Sequence, residues 1–201
     1  NALLKQELAK VADIPTTAQV EEYPWLGCFL QDSPGINAPI EHEAVTNEQV
    51  EHSDLLLFVI REGDQDVSAV YERLFALLNN NKSLFIVYNH QLQAAELEQG
   101  LTKLNHTLLD YAAKCGVADE VIRAIPVSAV NVKTALKASI ENKQNLAEHA
   151  GLVAFQQRFE TWLTQFDNER HYIESLRQFI RTRLLSPLLQ TFSDDAASPD
   201  A

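Results

Sequence analysis

Residues 29–60 read FLQDSPGINAPIEHEAVTNEQVEHSDLLLFVI, and this stretch decides the fold. A short apolar strand runs into Asp32-Ser33-Pro34-Gly35, a polar segment with helical character follows, and a second apolar run occupies 55–60. A carboxylate at the end of a buried strand is placed to hold Mg²⁺ through water. A glycine behind it lets a backbone N–H approach a terminal phosphate with no Cβ in the way. The same letters also suit a plain turn, because Ser-Pro-Gly is turn chemistry in its own right.

Outward from this stretch, strand-like and helix-like patterns alternate, which is the signature of an α/β sheet built from crossover units. The runs 55–60, 83–88 and 121–127 are short and rich in β-branched or aromatic residues, as strands buried on both faces should be. Helices are expected over 66–78, with Val67, Val70, Leu74 and Leu77 on one stripe, and over 92–113. The polar stretch 131–149 reads as a linker. The predicted organisation is an α/β domain over 1–149, a helical extension over 150–192 and a disordered acidic tail over 193–201.

Composition narrows the function classes. The 201 residues carry 16 basic and 28 acidic side chains, a net charge of −12, which disfavours a phosphate-backbone partner. Charge shifts near residue 150: positions 1–150 hold 11 basic and 21 acidic residues, whereas 151–192 hold 5 and 4. Two cysteines, Cys28 and Cys115, make no disulfide framework and are expected to be buried thiols. The six histidines show no paired metal-ligand spacing, and Trp25 beside Pro24 reads as a core or turn aromatic. With no membrane-length apolar run and no signal-peptide layout at the start, the expected compartment is the cytoplasm. The lack of any methionine suggests that the natural start lies elsewhere.

Further candidates sit at strand ends, where open α/β sheets bind their ligands. They are the threonines of Pro15-Thr16-Thr17-Ala18, which could complete a Mg²⁺ shell, then Asn89-His90-Gln91-Leu92, and Ser128-Ala129. In this order and spacing the sequence resembles the translation-factor-like (TRAFAC) GTPases over roughly 1–150, most closely the dynamin-like and related bacterial GTPases. The segment 29–60 is similar to that family's "DTPGI", helix and "aDxxLFV" strand.

The resemblance implies a P-loop GTPase-type, doubly wound, mostly parallel sheet that binds GTP or GDP and hydrolyses GTP with Mg²⁺. By it, Thr17 or Thr16 matches the switch I threonine, and Asp32, Ser33, Pro34 and Gly35 match switch II. Thr17 and Asp32, the latter via water, serve the metal and the γ-phosphate. Asn89 and His90 open the base-recognition motif, and Ser128 and Ala129 form the loop behind the guanine. His90 and Leu92 depart from the Lys and Asp of NKxD, which implies weaker base selectivity. The GxxxxGK[ST] loop is absent from the sequence. The opening Asn1-Ala2-Leu3-Leu4 resembles the helix that follows such a loop, so the chain is expected to be a truncated GTPase, inactive alone. The alternative is a nucleotide-free pseudo-GTPase serving as an interaction module.

Beyond residue 150, Leu152, Phe159, Phe166, Ile173 and Ile180 recur every seven residues, a coiled-coil-like seam. A last helix packed on the sheet is the plainer reading for its first part. The seam offers a helix-mediated partner or self-association, and whether a membrane is the effector is left open. Pro187 should end or kink the helix near Ser186.

Overall fold

The computed structural model describes residues 3, 21–32, 50, 53 and 55–196. At its centre is a three-stranded parallel sheet, β3 (Leu55–Arg61), β4 (Ser83–Asn89) and β5 (Val127–Val130), in that spatial order. Leu55 pairs with Ser83 and Ile86 with Val127. β4 is central, and five consecutive residues, Leu84 to Tyr88, are buried, which is why its sequence is continuously apolar rather than alternating. The hairpin β1 (Glu21–Trp25) and β2 (Cys28–Asp32) pairs antiparallel as a separate two-stranded sheet. Leu26 and Gly27 turn it, both at positive φ.

Helices cover both faces, so the sheet is doubly wound. On one face, Phe58, Ile60, Leu84 and Ile86 meet α1 (Ser68–Asn79) through Val70 and Leu74, and α2 (Ala94–Cys115) through Leu104 and Leu108. α2 opens with a reciprocal cap between Gln93 and Glu96 and ends at Gly116 in the left-handed conformation.

The opposite face is aromatic. Phe85 meets Phe155 and Phe159 edge-on, with centroids 5.5 and 5.4 Å away, and Trp25 of the hairpin stacks on Phe159 at 5.0 Å. Trp25 is thus a core residue, as its sequence context suggested. Phe155 and Phe159 belong to α6 (Leu152–Gln165), so the compact unit extends to Thr164, past the expected boundary at 149.

Several expectations are corrected. The run 121–127 is not one strand: Asp119–Ala124 is a helix, α3, with Asp119 and Glu120 in its first turn, and the strand starts at Val127 behind Pro126. The expected linker 131–149 is two helices, α4 (Val132–Ile140) and α5 (Gln144–His149), and Ala135 and Ala138 are buried. Asn131 caps α4 by accepting the Thr134 N–H at 2.9 Å. Cys28 is half-buried and donates to the Trp25 carbonyl, but Cys115 is exposed.

The second unit, residues 165–201, contains α7 (Asn168–Phe179), a π-helical segment Ile180–Leu185 and α8 (Ser186–Ala196). The seven-residue seam is not one continuous helix. α6 ends at Gln165, and Asp167 caps a new helix by accepting the Arg170 N–H at 2.9 Å. Pro187 does not terminate the helix either. Proline lacks the N–H that an α-turn would need, and the i→i+5 segment just before it takes up that mismatch. The Ser186 N–H and hydroxyl both reach the Arg181 carbonyl. Residues 193–196 of the expected tail are helical.

Candidate nucleotide-binding site

Parallel pairing of β3, β4 and β5 brings their carboxyl ends to one edge of the sheet. Arg61 lies opposite Asn89, and Asn89 opposite Val130. The loops that leave this edge are tied to one another. The Asn89 side-chain oxygen accepts the Val132 N–H at 3.3 Å, linking the end of β4 to the start of α4. The His90 N–H donates to the Val130 carbonyl at 3.2 Å, and the Gln91 N–H donates to the Glu62 carboxylate at 2.7 Å. This mesh ties together the loops that leave the sheet at that edge.

Asn89 is half-buried, and its side-chain carbonyl oxygen is committed to the α4 backbone. His90 points inward. It is 8% exposed, its ring lies nearly parallel to that of Tyr88 with centroids 6.0 Å apart, and its Nδ1 has no hydrogen-bond partner among the described residues. Burial pushes the imidazole below its ordinary range, opposed by a hydrogen bond with the Leu92 backbone and by the Glu62 charge. Leu92 packs against the aliphatic core and lies close to Gly100, where an added Cβ would sit 3.2 Å from its Cδ1. Its apolar side chain is explained by that contact. Sequence reasoning missed Glu62, whose only signal is an acid just past the end of a strand.

Ser128 and Ala129 lie inside β5, ahead of its carboxyl end, and Ser128 is buried. A cleft of about 620 Å³ beside them is bounded by Leu104, Ile122, Phe155 and two arginines, Arg123 and Arg158. Asn89 and His90 do not line it. Arg158 donates to the Val127 carbonyl at 2.9 Å. Just ahead of α6, Gly151 has φ +75° and approaches β5 so closely that a Cβ would collide with the Ala129 carbonyl oxygen.

Asp32 ends β2, where its backbone pairs with Glu21. Thr16, Thr17, Ser33, Pro34 and Gly35 lie outside the described residues, as does the side chain of Asp32. Among the described residues, no group of three or more His, Cys, Asp or Glu could hold a metal ion, and no helix is long and apolar enough to cross a membrane.

Comparison with known proteins agrees with the sheet. No curated protein and no solved structure matches the chain. Residues 1–90, from the opening segment through β4 to His90, match the family model described as 50S ribosome-binding GTPase, so the first part of this α/β chain is similar to a GTP-binding GTPase domain.

Proposed function

We propose that the chain supplies the switch and base-facing parts of a GTP-hydrolysing protein that works with Mg²⁺. The observation that carries this reading is the family match over residues 1–90, which spans Thr17, Asp32–Gly35 and Asn89 within one GTPase pattern. In this reading the Thr17 hydroxyl and the Asp32 carboxylate, the latter through water, hold Mg²⁺. The metal supplies charge neutralisation at the phosphates. The Gly35 N–H contacts the γ-phosphate, and Asn89 faces the base from a loop that its own hydrogen bond to Val132 holds in place. His90 supports that loop from inside. Nucleotide state then passes to the C-terminal helices.

The sequence holds no GxxxxGK[ST] loop, so hydrolysis is proposed for a protein that supplies one. That loop brings the backbone cradle, the phosphate lysine and a Mg²⁺ ligand. A second reading, a nucleotide-free interaction module, is favoured by the inward-facing His90 and the core-packed Leu92 at the base-motif positions.

The test joins a GxxxxGK[ST] segment ahead of Asn1 and follows GTP turnover. Thr17→Ala and Asp32→Ala are each expected to slow it at least about tenfold, roughly 1.4 kcal/mol in barrier. Unchanged turnover in both variants sinks the switch assignment, and total inactivity of the joined protein favours the interaction module.

A further inference from the structure

Among the described strands β5 has one neighbour, β4, and its other edge is free. The Ile86 N–H donates to the Pro126 carbonyl and the His90 N–H to the Val130 carbonyl, so the backbone groups of residues 126, 128 and 130 face β4. By the alternation of a parallel ladder, Val127 and Ala129 direct theirs the other way. Both of their carbonyls are already covered from α6 and the turn ahead of it. The Arg158 guanidinium donates to the Val127 carbonyl at 2.9 Å, and Gly151 lies so close to the Ala129 carbonyl oxygen that a Cβ would collide with it. What the edge still offers is the N–H groups of Val127 and Ala129, donors with no open acceptor between them. An added peptide strand needs donors and acceptors in alternation. This edge suits a group that only accepts.

The cleft of about 620 Å³ beside this edge has the size of a small-molecule site, for which roughly 300–1,000 Å³ is usual. Leu104 and Leu108 of α2, Ile122 of α3 and Phe155 of α6 give it an apolar wall. No aspartate or glutamate lines it, in a chain that carries 28 of them against 16 basic residues, whereas Arg123 and Arg158 both do. The two arginines differ. Arg123 lies 3.9 Å from Asp119, a loose exposed pair that answers part of its charge. Arg158 makes no ion pair among the described residues, and its bond to the Val127 carbonyl holds its remaining N–H groups beside the strand edge. The cleft therefore presents about one uncompensated positive charge, the complement of a monoanion.

We infer that the cleft along the free edge of β5 is a binding site for a small organic carboxylate with an apolar body. The carboxylate oxygens accept from Arg158 and the outward N–H groups of β5, and the body lies against Leu104, Leu108, Ile122 and Phe155. Asn89 and His90 do not line this cleft, so the inference stands apart from the nucleotide reading.

The test is titration of the full chain with pyrenebutanoate, read by fluorescence anisotropy, beside the matching neutral alcohol, pyrenebutanol. The acid is expected to bind at least about tenfold more tightly than the alcohol, the worth of one charge-assisted hydrogen bond. Arg158→Gln should remove that preference by weakening the acid and leaving the alcohol unchanged. Ala154 is an exposed lining residue, so Ala154→Trp fills the cleft without entering the core and should weaken acid and alcohol alike, each by at least about tenfold. Far-ultraviolet circular dichroism checks that both variants are folded, and Arg158→Gln decides the matter alone should Ala154→Trp not be. Absence of binding, equal affinity for acid and alcohol, or an acid affinity that survives Arg158→Gln would each overturn the proposal. Binding that a folded Ala154→Trp leaves intact would overturn it in favour of the exposed apolar residues beyond Thr164.

Discussion

α6 and the α7–α8 pair carry the same apolar periodicity and put it to opposite use. Leu152, Phe155 and Phe159 of α6 are buried against Phe85 and Trp25, and their stripe is consumed by the sheet. Ile173, Leu176 and Ile180 continue the spacing, yet all three are exposed. Periodicity states that a helix has an apolar face; what lies opposite that face decides whether it is buried.

The contrast can be broken by shortening one side chain in each region. Phe159→Ala empties a site ringed by Trp25, Phe85, Phe155 and Trp162, and is expected to cost about 3–5 kcal/mol in unfolding free energy. Leu184→Ala, on an exposed face, should change it by less than about 0.5 kcal/mol. Urea unfolding followed by circular dichroism reads both, and comparable losses would show that the α7–α8 face is packed in solution.

A smaller loss tests how α6 is attached to the sheet. Gly151→Ala puts a Cβ on a residue with φ +75° and against the Ala129 carbonyl oxygen, and should cost about 2 kcal/mol. An unchanged urea midpoint would mean that α6 does not approach β5 as closely as described.

The smallest effect concerns His90. Its folded-state pKa is lowered, mainly by burial, so the neutral ring is the form the fold accommodates. Its contribution is intact above the ordinary value of about 6.5 and is lost progressively as pH falls from there through the folded-state pKa. In His90→Leu that component of the slope should vanish, a change of at most one proton in the linkage. Identical pH profiles for the two proteins would place the ring in water.

These contrasts also show what the sequence could and could not reveal. β3 and β4 were legible within a residue, because strands buried on both faces must be continuously apolar. The run 121–127 misled because a short apolar segment suits a helix as well as a strand; Asp119 and Glu120 at the helix start and Pro126 before the strand were the signals that decide it. Residues 131–149 looked like a linker because α4 buries small residues, Ala135 and Ala138, that composition hardly registers. At the site, Asn89 was legible as a strand-end polar group. Its bond to the α4 backbone, 43 positions along the chain, was not, since no local pattern encodes it. The inward turn of His90 likewise follows from Tyr88 and the surrounding core rather than from its neighbours in sequence.

Trp25 and Trp162 are the two tryptophans of the chain, and both lie in the aromatic cluster on Phe159. The protein's intrinsic emission is therefore almost entirely a signal from one place, where the β1–β2 hairpin meets α6. Since β2 ends on Asp32, the residue proposed above to serve the metal, an optical change on adding nucleotide would report from the hairpin that carries it, and it would need no dye.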